Sequence, residues 1–335
     1  MMAAYVLSQL TGFRILLMSG ICLPVILAQA QENDSIPKEP ESEWIESMEN
    51  KIAIKLSMTN NIETFKVDTE TNDLEIFPNV NTALNLSVNY KFISFSFSIA
   101  PEFIPGNGDN DVRGKTSIFN LGLNVFKPHW FHELAFTRIR GFYLNNTQDY
   151  DPNWTSGDPY IQFPDLYYTS IHGISGYKFN PNLSLIALSS QTERQLKSAG
   201  SFIPRLAYRY YWIDNQDEQS TTTQKSNNLE LVLGAGYYYT FVLKHSFYLG
   251  LGATPGLGWM HTRLTTRDSF QEVNTIQNNL IFRWDAQGGL GYNGESFLAG
   301  AYYSITGTTF NQENTTVVNY DIQTAYKLFV GFRLN

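Results

Sequence analysis

Ser170 and His172 stand two residues apart in the stretch YYTSIHGIS, Tyr167 to Ser175. Residues two apart in a strand share a face, so Tyr168, Ser170 and His172 line up. The histidine can then take the serine's proton, the first requirement of nucleophilic acyl transfer. A working set also needs a carboxylate or amide to orient the histidine, and the local sequence offers no such third member. A polar position on the inner face of a sheet accounts for the same two residues.

Other chemical spacings are weaker. GDNDVRGKT, Gly108 to Thr116, has the look of a phosphate loop, but five residues separate Gly108 from Gly114 where the motif needs four, and a strand follows where it needs a helix. GLGYNG, Gly289 to Gly294, matches the dinucleotide glycine pattern at a hairpin, without a helix to receive a pyrophosphate. Glycines on the inner face of a strand are the simpler reading. Asn107, Asp109 and Asp111 have oxygen ligands for Ca²⁺, yet Val112 takes the place where the EF-hand loop needs glycine. His129 and His132 lack a third metal ligand. The sequence therefore points to no metal, no cofactor and no catalytic residue, with a Ser170 and His172 lipid hydrolase as the alternative.

The elements that would position these residues are read from the whole chain. Of its 335 residues 16% are charged and 15% aromatic, an unusual surface for a soluble protein. Arg14 precedes the apolar run Ile15 to Ala28, which ends in the small-residue pattern Ala28-Gln29-Ala30. This reads as a secretory leader over residues 1–30. The run is too short for a membrane helix, which needs roughly 20 apolar residues. The only cysteine, Cys22, lies inside it, so the exported chain would have no thiol. Residues 31–50 carry seven acids and one lysine and read as an acidic, solvated periplasmic linker. The remaining 51–335 carry a net charge of −3, which argues against nucleic acid as a partner.

From Lys51 onward, segments alternate with a period of two. In NNLIFRWDAQGGLGY, Leu280, Phe282, Trp284, Leu290 and Tyr292 oppose Ile281, Arg283, Asp285, Gln287, Gly289 and Gly291. A sandwich would alternate too, but here short turns at 127–130, 180–182, 243–245 and 293–295 alternate with long polar loops at 101–114, 146–164, 213–227 and 267–275. That asymmetry, with Tyr and Trp near strand ends, is the transmembrane barrel pattern. Strands are expected near 51–68, 80–90, 92–100, 115–126, 131–145, 165–180, 200–213, 228–242, 246–266, 276–293, 296–310 and 316–334. The fold class is all-β: an antiparallel up-and-down transmembrane barrel of about twelve strands over 51–335, exported to the Gram-negative outer membrane. Its expected partners are outer-membrane lipid, the barrel-assembly machinery during biogenesis and, if it conducts, a small solute.

The pieces FPN (Phe77 to Asn79), RGKT (Arg113 to Thr116), RGFYL (Arg140 to Leu144) and ERQLKSAGSF (Glu193 to Phe202) resemble an uncharacterised domain-of-unknown-function family of Bacteroidota proteins, of the 4421 type. The resemblance spans most of the exported chain. It implies a secreted outer-membrane barrel and transfers no activity.

The inner face collects Lys55, Arg205, Arg209, Glu230, Arg283, Asp285, Asp321, Lys327 and Arg333, with Asn81, Asn85, Asn89, Asn120 and Asn124. Mixed charges pair across a partly dry space, which favours a narrow or gated pore or a surface scaffold over a wide porin. The stretch Ser189 to Phe202 departs from alternation. Ser190 with Glu193 spells a capping box, Glu193 and Lys197 an i,i+4 pair, and Gly200 a stop. A short helical insert is therefore expected near 190–199. Its Glu193, Arg194, Gln195 and Lys197 are expected in the barrel mouth as a plug or gate, paired with wall charges such as Arg209 or Glu230.

Overall fold

A computed structural model describes residues 42–48, 50–68, 73–217, 220–244, 246–268, 271–311 and 318–335, without the side chains of 67–68, 310–311 and 318–321. The expected leader and the linker as far as residue 41 lie outside the described residues. The unit Glu43–Asn335 is a closed antiparallel barrel of 12 strands. In chain order the elements are β1 (Ile45–Ser47), β2 (Ile52–Thr59), β3 (Phe65–Asp68), β4 (Asp73–Phe77), β5 (Ala83–Tyr90), β6 (Ile93–Ile99), β7 (Ser117–Phe126), β8 (Trp130–Leu144), β9 (Gln162–Tyr177), β10 (Glu193–Gln195), β11 (Ala199–Asn215), β12 (Thr222–Leu243), β13 (Phe247–Asp268), β14 (Glu272–Asn293), β15 (Phe297–Asn311) and β16 (Val318–Leu334).

The wall is built from β2, β5 to β9 and β11 to β16. Each pairs with its neighbour in the chain, β16 closes on β2, and β8 and β9 complete the ring. Closure leaves no edge with unpaired backbone groups. Each of the twelve expected strands has its counterpart. The expected strand over 51–68 is broken, however: Asn60 turns its side chain to accept from the Tyr326 amide at 2.7 Å, and the chain leaves the wall until β3.

The period of two sorts residues as expected. Leu280, Leu233, Leu257, Phe95 and Leu290 lie 60–72% exposed on the outside. On the inside, Ala53, Ser57, Asn89, Ser170, Glu230 and Thr254 are buried. The glycines of GLGYNG belong to this inner face. A side chain at Gly289 would meet the Tyr302 ring of the next strand at 2.1 Å, and one at Gly291 the Tyr248 hydroxyl at 2.7 Å. Small inner residues let large tyrosines of adjacent strands lie flat across the lumen wall.

The interior is layered, as the inward residues of β11 show. Ile203 belongs to an apolar cluster with Phe126, Phe131, Leu183, Ala199 and Tyr238 at the short-turn end. Arg205 and Arg209 follow. Tyr211 and Ile213 then pack on a second cluster, Ile139, Phe142, Leu166 and Tyr168, which β3 joins through Phe65 at the long-loop end.

Candidate functional site: a plugged lumen

Between the two apolar layers runs a chain of ion pairs. Glu63, in the turn that leaves the wall after β2, lies 3.4 Å from Arg209, and Arg209 donates to Glu230 at 2.7 Å. Glu230 is shared with Arg283 at 3.3 Å, Arg283 lies 3.2 Å from Asp285, and Asp285 accepts from Arg205 at 2.5 Å. Alternating sign lets each ion offset the desolvation of the next, which an isolated buried charge lacks. Arg205, Arg209, Glu230, Arg283 and Asp285 are thus brought together as the inner-face pattern implied. Lys327 also faces the lumen, opposite Glu133 of β8. The side chain of Asp321 lies outside the described residues, and Asn81 sits in an exposed loop, not on the inner wall.

The segment between β9 and β11 fills the short-turn mouth, but not as a helix. Residues 186–190 form turns, Gln191 has a φ of 58°, and Glu193–Gln195 form strand β10. A helix would satisfy its carbonyls internally; here the wall supplies the donors, so the backbone need not coil. Lys55 donates to the Ser189 carbonyl, Tyr302 to that of Leu188, and Arg333 to that of Gln191 at 2.6 Å. The Asn293 amide reaches the carbonyls of Ala187 at 3.2 Å and Glu193 at 2.9 Å. The expected capping box is replaced by another: Glu193 accepts from Ser184 Oγ at 2.5 Å, and Ser184 Oγ accepts from the Ala187 amide at 2.8 Å.

The expected partners of the plug charges are also corrected. Arg194 pairs with Glu46 and Lys197 with Glu43 at 2.6 Å, while Arg209 and Glu230 are occupied by each other. Glu46 lies in β1, whose residues Ile45 to Ser47 pair antiparallel with Gln195 to Glu193. Residues 43–48, expected to be solvated linker, are therefore half of the plug. The Lys197 ammonium holds the Glu43 carboxyl below its usual range through a direct hydrogen bond. Gln195 ties the two halves by donating to the carbonyls of Asn182, Trp44 and Lys197.

The sequence matches the domain of unknown function DUF4421 over residues 33–334. The chain belongs to that family. No curated protein matches it. Among solved structures it is similar to LpxR from Salmonella typhimurium, with a TM-score of 0.37 and 11% identity over 84% of this chain and 99% of LpxR. The ferric yersiniabactin uptake receptor FyuA from Yersinia pestis gives 0.29 and 10% over 87% of this chain and 44% of the receptor. The ferric citrate transporter FecA gives 0.31 and 13% over 85% and 42%. The chain spans less than half of those two proteins. At these values the likenesses assign no activity.

In this DUF4421 barrel the Ser170 and His172 pair is real but interior. Ser170 Oγ lies 3.2 Å from His172 Nδ1, with Ser170 fully buried between the wall and Tyr168. The nearest carboxylate acting on the histidine is Glu63, already paired with Arg209. His129 and His132 contact the Lys178 carbonyl and Ser175 Oγ, each at 2.9 Å. Asn107 of the Ca²⁺-like loop is spent on the Asn81 amide and the Thr82 and Pro101 carbonyls.

Sequence reasoning missed Glu63, Glu133 and β1. Glu133 carried a signal, an acid on the inner face of an alternating strand. The other two carried none, because their roles depend on partners some 150 residues away.

Proposed function

We propose that this protein is an outer-membrane barrel acting as a gated passive channel for small polar solutes, closed in the present state by the plug of residues 183–197 and β1. The outer face supports the membrane reading: its contiguous exposed Leu, Phe, Val and Ile side chains suit hydrocarbon, and the inward polar face suits a lumen. The observation that carries the channel reading is how the plug is held. It joins the wall through side-chain donors from β2, β14, β15 and β16 and adds no strand to the barrel, so it can leave without breaking a wall ladder.

The test is to replace residues 184–195 by a glycine and serine linker and record single-channel conductance in planar bilayers. The shortened barrel should insert normally and conduct more than the intact chain. Unchanged conductance from a folded, inserted variant would end the channel reading and leave a structural scaffold.

The 3.2 Å contact between Ser170 and His172 favours one alternative, an outer-membrane lipid hydrolase. Release of acyl chains from phospholipid or lipopolysaccharide, lost in Ser170→Ala, would establish it. Burial of Ser170 and the commitment of Glu63 to Arg209 argue for the channel.

A further inference from the structure

The outer wall has one indentation that a smooth barrel would lack. Across β5 to β9 an apolar groove of about 580 Å³ is lined by Leu86, Phe95, Phe97, Leu121, Leu134 and Phe136. Its floor follows from the register. Ser96, Gly122 and Ala135 sit side by side on three neighbouring strands, so the wall is thinnest there, while the large outward residues on either side stand up as walls.

The same outward face of β8 changes character two residues on. Arg138 and Arg140 follow Phe136 at roughly 7 and 13 Å along the strand, from a rise of about 3.3 Å per residue. Both are exposed and both stack on Tyr167, with guanidinium carbons 5.2 and 5.3 Å from the ring centre. Arg140 has Asp165 at 2.8 Å; among the described side chains Arg138 has no carboxylate partner. Register places Arg138 in one row with Thr169 and Trp212, at the aromatic level toward the long-loop end. An arginine on a lipid-facing wall is tolerated at that depth and is matched there by anionic headgroups.

We infer that this face holds a phosphate-bearing lipid of the outer leaflet, one acyl chain lying in the groove and the phosphate on Arg138 and Arg140. The inference rests on the membrane reading above. Charge complementarity selects the occupant. A neutral lipid would leave Arg138 unmatched beside hydrocarbon, whereas a phosphate accepts the forked guanidinium donors bidentately. The aromatic rim of Phe97, Phe119 and Phe136, with ring centres 5.6 and 6.2 Å apart, bounds the chain just below the headgroup.

The test is native mass spectrometry of the full barrel released from detergent with diphosphoryl lipid A, with the same lipid dephosphorylated, or with inorganic phosphate. The intact protein should retain the phosphorylated lipid at least tenfold better than the dephosphorylated one, and inorganic phosphate should not displace it. Arg138→Gln with Arg140→Gln should abolish the preference and Arg138→Lys should keep most of it. Leu134→Trp, which fills the groove, should weaken retention with both arginines present. Equal retention of the two lipids, or a preference surviving the double Gln variant, would overturn the inference in favour of ordinary annular lipid. Displacement by inorganic phosphate would overturn the lipid as the ligand's source. Membrane insertion is scored separately by vesicle flotation, so a barrel that floats without lipid preference refutes this inference alone, and one that fails to float refutes the membrane reading.

Discussion

Arg194 in the plug is paired with Glu46 of the N-terminal segment, although its expected partners were charges on the barrel wall. Every inward wall acid within the ion-pair chain is already matched, so the mouth takes its counter-charges from the chain that enters it. The N-terminal segment is thereby a latch: β1 covers β10, and the acids beside it neutralise Arg194 and Lys197.

The latch should be held more by backbone than by charge. The side chain of Glu46 is 37% exposed, so Glu46→Ala should cost less than about 1 kcal/mol after screening. Deleting residues 43–48 removes the whole β1 to β10 pairing and should expose the plug. Trypsin acting on the folded barrel from the short-turn side should cut at Arg194 or Lys197 in the deletion variant, leaving intact protein and Glu46→Ala uncut. Equal resistance in all three would show that β1 does not secure the plug.

Glu230 is the shared acid of the lumen chain, with Arg209 on one side and Arg283 on the other and 6% of its side chain exposed. Glu230→Ala strands two guanidinium groups in the interior, a change of the kind that costs about 3–5 kcal/mol. Urea unfolding of the barrel in lipid vesicles, followed by tryptophan fluorescence, should show this loss. The double variant Glu230→Leu with Arg209→Met should lose less than Glu230→Ala alone. A loss below about 1 kcal/mol for Glu230→Ala would mean that water fills the lumen and screens these charges.

The wall was legible because alternation is a property of each strand by itself: Leu280 and Arg283 announce their opposite faces within four residues. The lumen charges followed from the same parity, so Arg205, Arg209, Glu230, Arg283 and Asp285 could be grouped before any strand order was known. The plug was not legible, for a physical reason. Ser190, Glu193 and Lys197 spell a helix locally, but that spelling assumes carbonyls without other donors, and Lys55, Tyr302 and Arg333 arrive from strands far along the chain. The acids near Glu43 and Glu46 read alike whether solvated or paired, because charge alone does not reveal a partner. Glu63 was hidden by the break at Asn60, where a side-chain acceptor replaces the strand's own pairing.

Lys178, the first residue after β9, gives the plug a pH dependence. It is buried and donates to the carbonyls of Pro181, at 3.3 Å, and Leu183. Burial lowers its pKa to about 8, partly opposed by Glu193. The unfolded chain holds this proton until about pH 10.4, so between those values the unfolded state binds more protons and stability rises with pH. The cost of burying the charge is fully present below pH 8 and fades toward pH 10.4, on the order of 3 kcal/mol in all. Stability of the intact barrel should therefore climb through this window, and Lys178→Met should flatten the climb. An identical slope in Lys178→Met would assign it to other groups.

The two faces of β14 provide the most direct check on the orientation of the wall. Leu280 is 72% exposed and Phe282 45%, whereas Arg283 and Asp285 lie within the lumen ion pairs. Hydrocarbon excludes a charged thiol reagent from the outer positions, and the plug restricts it at the inner ones. Single cysteines at Leu280 and Phe282 in vesicles should therefore resist a membrane-impermeant maleimide with or without residues 184–195. A cysteine at Arg283 would strand Glu230 less than the reverse change, because Arg209 remains, so the barrel should still fold. Its labelling should be slow in the intact chain and at least several-fold faster once the plug is removed. Rapid labelling at Leu280 together with protection at Arg283 in the plug-deleted barrel would invert the wall and refute both the lipid-facing and the lumen assignments.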